Sequence, residues 1–216
     1  MTTNPLSQPL TASEARVLGV LIEKSKTTPD AYPLTVNSLT SGCNQKTSRE
    51  PVMSLTESEV QATLEALRGR TLIMESYGAS GRVLRYAHNF AKVYDVPAAS
   101  VNLLAILMLR GPQTASELRA NCERLHHFAD VFSVEAFLEE LADRPTGAMV
   151  VKLPRQPGTR EQRWTHLLCG EPSPETLCLG ITRTTAAIPA DLEARVEQLE
   201  QSVAELSAKL ALLVGD

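Results

Sequence analysis

Cys122, His126 and His127, with His166 and Cys169 further on, are zinc-binding residue types in C-x3-H and H-x2-C fragments. The fragments do not converge on a site. Cys122 lies in a segment the chain writes twice, and Cys43, its earlier counterpart, is followed by Asn44 and Gln45; His88, the counterpart of His166, has no cysteine near it. Core cysteines are the expectation, with no metal or other cofactor. No phosphate-binding glycine loop, no H-E-x-x-H and no G-x-S-x-G occurs, so a non-enzymatic protein is expected.

A second kind of chemistry is ionic. The segment "CNQKTSREPVM", residues 43 to 53, carries Asn44, Gln45, Lys46 and Arg49 between two helical patterns. Two later stretches of alternating pattern carry Arg82 and Arg85, then Lys152, Arg155, Arg160 and Arg163. Such groups contact phosphates or acidic protein patches, and loops and hairpin tips are where function commonly sits. Two plainer readings stand beside this one. The hairpin cations could be solubilising charges that protect strand edges. The 43 to 51 joint could be a loop folded on itself through its amides and hydroxyls, which the turn-forming habit of Asn, Ser and Thr favours.

The elements that would hold these residues are repeated. "PLTVNSLTSGC" matches "PQTASELRANC", "ATLEALRGR" matches "AFLEELADR", and "RVLRYAH" matches "REQRWTH", at offsets of 79, 74 and 78 residues. Three matches in one order mean a duplicated unit whose copies differ by loop length, the first joint being longer by five. In the first copy a helix from residue 11 to about 24 opens with the capping pair Thr11 and Glu14 and lays Leu18, Leu21 and Ile22 on one face. A second helix spans about 35 to 43. A third starts at Thr56 with Glu59 as its capping partner and Leu55 against Val60 as a staple. The period then becomes alternating, and "TLIMESYGASGRVLRYAH" and "AMVVKLPRQPGTREQRWTHLL" read as hairpins, with Tyr86 and Trp164 inward and Arg85 and Arg163 outward.

Three helices closed by a hairpin are the winged-helix variant of the helix-turn-helix. The expected fold is mainly α with small β hairpins (α+β): two tandem winged-helix domains at 10–95 and 96–170, after an unstructured start over 1–9. "CNQKTSREPVM", "LTESEVQATLEALR" and "RVLRYAHNF" resemble the YceH-type family of uncharacterised bacterial proteins, over roughly residues 8 to 170. Thr47, Ser48 and Glu50 depart from that family's usual Ser, Asn and Asp while keeping size and polarity. The resemblance implies paired winged helices followed by a helical tail, and no activity.

The charge pattern limits how such a fold could meet DNA. Residues 1–95 hold ten Lys and Arg against nine Asp and Glu, 96–172 hold eight against nine, and 173–216 hold three against seven, so the net charge of −4 arises mostly in the tail. The third helices carry Glu57, Glu59 and Glu65 in one copy and Glu135, Glu139, Glu140 and Asp143 in the other. Carboxylates repel phosphates, so groove insertion of these helices is disfavoured and DNA contact would fall to the hairpins and the joint. The competing expectation is a protein-interaction scaffold that uses those acidic helices.

After a connector over 171–188, residues 189–214 read as a coiled-coil-like helix. Leu192, Val196, Leu199, Val203, Leu206, Leu210 and Leu213 step by four and three, with valines at a and leucines at d, which suits a parallel homodimer. Folding back onto the hairpins is the alternative. No apolar run reaches the roughly 20 residues of a bilayer span, "MTTNPLSQP" lacks a secretion-signal layout, and four sparse cysteines suit reduced thiols, so a cytoplasmic location is expected.

Overall fold

Both first helices of the repeat are buried around most of their girth. In the computed structural model, which describes residues 5–77, 81, 83–155 and 159–172, helix α1 (Ala12–Thr27) has every residue from Glu14 to Ile22 buried, and α5 (Ala98–Arg110) every residue from Ala99 to Leu109. The apolar run of α5 belongs inside a protein, and α1 carries Glu14 and Arg16 into that interior. Here the two pack on each other: a methyl group added to Gly19 of α1 would lie 2.8 Å from Leu109 Cγ of α5, closer than atoms can pack.

Around this pair each copy adds the same parts. The first has α2 (Val36–Cys43), α3 (Glu57–Gly69) and a hairpin of β1 (Ile73–Tyr77) and β2 (Leu84–His88); α4 (Phe90–Tyr94) then leads to α5. The second has α6 (Ala115–Cys122), α7 (Val131–Ala142), β3 (Val150–Lys152) and β4 (Trp164–His166). The described residues thus form a mixed α and β protein of seven α-helices and two antiparallel two-stranded sheets. Register runs from Ile73 opposite His88 to Tyr77 opposite Leu84, and from Val150 opposite His166 to Lys152 opposite Trp164.

The duplication extends to single bonds. Thr35 and Thr114 both cap their helices, accepting from the amides of Ser38 and Glu117. Leu39 and Leu118, like Cys43 and Cys122, are wholly buried. Leu34 bridges to Tyr86, and Gln113 to Trp164, giving each hairpin a third, one-residue strand. The capping boxes expected at Thr11 and Thr56 are present. Buried side chains of both copies run together into one cluster, from Leu10 to Leu168.

Three features differ from the sequence reading. α1 is covered on all sides, whereas its pattern suggested one buried face, because α5 covers what the first copy leaves open. The short α4 went unread. Residues 5–9, expected to lack structure, carry the turn Pro5–Ser7, and Arg70 holds them by donating to the carbonyls of Gln8 and Pro9 at 2.5 and 3.4 Å. The seam from Leu192 to Leu213 lies outside the described residues. No helix among the described residues is long and apolar enough to cross a membrane.

Candidate functional site

The 43 to 51 joint is built around two buried arginines. Arg16, 1% exposed on α1, donates from Nη1 to the Cys43 carbonyl at 2.9 Å and from Nη2 to the Pro51 carbonyl at 2.5 Å, holding both ends of the joint. Arg49, 4% exposed, turns inward from the joint's middle. Its Nε donates to the Gly42 carbonyl at 3.0 Å, and its Nη atoms take the Glu23 carboxylate in a two-point pair at 3.1 and 2.6 Å. A planar guanidinium matched to a carboxylate fork is the strong form of this contact. Arg49 was expected among the outward contact residues; it is interior, and a ligand at the surface cannot reach it.

Asn44 is also engaged locally: its amide exchanges two hydrogen bonds with the backbone of Leu55, at 2.7 and 2.8 Å, just before the Thr56 cap of α3. The joint then fastens the copies to each other. The Glu50 amide donates to the Leu109 carbonyl at 2.7 Å, satisfying a group that the end of α5 leaves open, and Arg110 Nη2 donates to Ser48 Oγ at 2.7 Å. The joint, longer than its counterpart in the second copy, thus reaches α5. Lys46 stays exposed and Gln45 half-buried.

The hairpin arginines are equally divided. Arg85 donates to the Pro33 carbonyl at 2.8 Å and Arg163 to that of Pro112 at 2.8 Å, the same tie in each copy. In the second copy Glu117 adds a two-point pair with Arg163, at 2.9 Å to each oxygen; Ser38 stands at the equivalent place in the first. Tyr86 and Trp164 are buried as expected, 1% and 3% exposed. Lys152 Nζ sits 5.0 Å from the Trp164 ring centre, a cation over an aromatic face. Arg155 and Arg160 are exposed and make no ion pair among the described residues. Arg82 lies outside the described residues.

The third helices present little positive charge. Arg68 pairs with Glu75 at 3.3 Å, and Arg70 with Glu14 at 3.5 Å. Glu59 is fixed by its cap, where the Thr56 amide and then its hydroxyl hold the carboxyl below its usual range. On α7, Glu139 and Glu140 are exposed and Phe132 is 79% exposed. The zinc-type residues are scattered. Cys122 is buried, its thiol pushed up to about 12 by that burial, while His126 meets Phe128 edge to face and His127 pairs with Glu123. No three His, Cys, Asp or Glu side chains among the described residues gather closely enough to hold a metal.

The sequence reading missed Arg16, Glu23 and Arg110, all outside the loops on which attention falls. A signal existed for Arg16: a cation between Ala15 and Val17, within the apolar run of α1, must find buried acceptors.

The chain has relatives among bacterial proteins. A family model described as "Protein of unknown function, DUF480" matches residues 10–159. Similar bacterial proteins, each described as a UPF0502 protein, include one from Dechloromonas aromatica (strain RCB), 54% identical and covering 93% of this chain and 94% of its own. Another, from Acidovorax sp. (strain JS42), is 53% identical and covers 96% and 93%, and one from Leptothrix cholodnii is 56% identical over 81% and 78%. The chain belongs to this family of uncharacterised bacterial proteins, as the resemblance of its joint and first hairpin implied.

Proposed function

We propose that the protein is a non-enzymatic tandem winged-helix protein that associates with duplex DNA through its second hairpin. The observation that carries this reading is the group Lys152, Arg155 and Arg160, which face solvent with no carboxylate paired to them among the described residues. The first hairpin ends differently, with Tyr77 71% and Val83 48% exposed. Contacts of this kind are made to phosphates and carry little sequence information. Glu139 and Glu140 keep α7 out of the major groove, so the hairpin lies along the backbone.

A fluorescence titration with generic duplex DNA at low and moderate salt tests this. Binding should weaken with salt, and Arg155→Ala/Arg160→Ala should reduce the slope of log affinity against log salt by roughly two. A flat titration at both salts would end the DNA reading. The second reading is a protein partner at α7, favoured by the exposure of Phe132 beside acidic residues; capture of a partner that Phe132→Asp leaves unchanged would remove it.

The same proposal makes the protein a homodimer through Leu192, Val196, Leu199, Val203, Leu206, Leu210 and Leu213, which would present two weak DNA sites together. Sedimentation should give a dimer for the full chain and a monomer without residues 189–216. Monomers in both cases would refute the seam.

A further inference from the structure

A groove of about 360 Å³ opens where the last turn of α1, the 43 to 51 joint and the end of α6 come together. Its walls include Lys24, Thr28, Lys46, Thr47 and Ser48 from the first copy and Arg124 from the second. Three of the lining residues are cations, and Glu23 is the one carboxylate. That carboxylate is taken by the buried Arg49 at 2.6 Å, with Lys24 at 3.8 Å from the same oxygen. Arg110 adds a further cation at Ser48 Oγ, while Glu123, next to Arg124, is held by His127.

Positive charge is therefore in excess at this place, in a chain whose net charge is −4. Burial first, and then the Arg49 guanidinium, pull Arg16 below its usual value; burial pulls Arg110 the same way, with Glu23 opposing and Arg49 adding. Of the cations facing the groove, Lys24 lies 3.8 Å from the Glu23 carboxylate, and the others are unengaged. Lys46 and Arg124 are exposed without ion pairs, and the backbone amides of Lys46, Thr47 and Ser48 donate to nothing among the described residues. Ser48 is in the left-handed region at φ 61, a turn that can bring successive amides round to one side of the chain.

We propose that this groove binds a small phosphate-bearing anion of the pyrophosphate class, held by Lys24, Lys46, Arg124 and the 46 to 48 amides. The groove has room for such a group and for a nucleoside attached to it, and hydroxyls at Thr47 and Ser48 supply neutral donors between the cations. Because Arg124 belongs to the second copy and the other ligands to the first, the anion bridges the two. Binding then stabilises the folded chain by mass action.

The test is titration calorimetry of the full chain with inorganic pyrophosphate, and separately with ADP, at fixed ionic strength, with a melting curve for each. Saturable binding and a raised Tm are expected, with affinity about tenfold or more weaker in Lys46→Ala/Arg124→Ala, as loss of two charge-assisted contacts implies. Both side chains are exposed and unpaired, so the variant should keep the wild-type circular dichroism. Arg155→Ala/Arg160→Ala should bind the anion normally, which separates this site from the proposed DNA surface. ADP bound more tightly than pyrophosphate assigns the phosphates to a nucleotide; equal affinity assigns them to the free anion. No saturable binding at millimolar concentration, binding that survives the Lys46/Arg124 variant, or affinity for duplex DNA alone overturns the proposal.

Discussion

Arg49 and Lys46 stand three positions apart in one polar loop and have opposite fates. Arg49 is enclosed with Glu23, and removing it leaves that carboxylate with Lys24 alone, 3.8 Å away, and takes the donor from the Gly42 and Ser48 carbonyls. Arg49→Ala should cost about 3 kcal/mol, read from urea unfolding, whereas Lys46→Ala should fall within roughly 0.5 kcal/mol of wild type. Equal effects would contradict the assignment of Arg49 to the interior. Residue identity alone could not separate them, because burial of a loop cation depends on a carboxylate from another element, here α1. The histidines carry a pH dependence. Burial pushes His88 and His166 down to about 4, with Lys26 adding to the effect at His88. An unfolded histidine titrates near 6.5, so the unfolded chain binds more protons below that pH. Their contribution is full above about 6.5 and is lost as pH falls toward 4. The Tm should drop across that window, and His166→Gln should flatten the drop; an unchanged profile would show that His166 titrates normally in the fold.

At the scale of elements, the joining of α1 to α5 is the contact on which both copies depend. Gly19 allows the close approach, and Leu109 occupies the space a side chain would need. Gly19→Ala should therefore destabilise by about 1–3 kcal/mol despite the better helix propensity of alanine. A neutral or stabilising effect in thermal unfolding would mean the two helices separate easily. Much at this scale was legible beforehand. The helices of the first copy, the Thr11 and Thr56 caps and the two hairpins follow from local patterns that tertiary contacts reinforce. The coverage of α1 was not legible, since its outer face is closed by residues some ninety positions away, a distance over which no periodicity speaks. The joint shows the same limit: its composition predicted a self-bonded turn, which Asn44 forms, but not the bond from Glu50 to Leu109.

For the molecule as a whole, duplication supplied two equivalent frames that differ in a few features. The tie from hairpin arginine to proline carbonyl is kept in both copies. Glu117 reinforces it in one copy only, and the long joint exists in the other only. Solvent-facing cations concentrate on the second hairpin and on the groove at the joint, so the proposed DNA and anion surfaces are carried by features the copies do not share. The candidate site was half legible for that reason: residue types pointed to the right stretches, while the choice between interior and exterior arginines needed the fold. The bond from Glu50 to Leu109 also bears on synthesis. While the ribosome has made only the first copy, α1 has an uncovered apolar flank and the joint has no carbonyl to grip. The nascent chain must stay soluble in that half-made state until α5 emerges to close it.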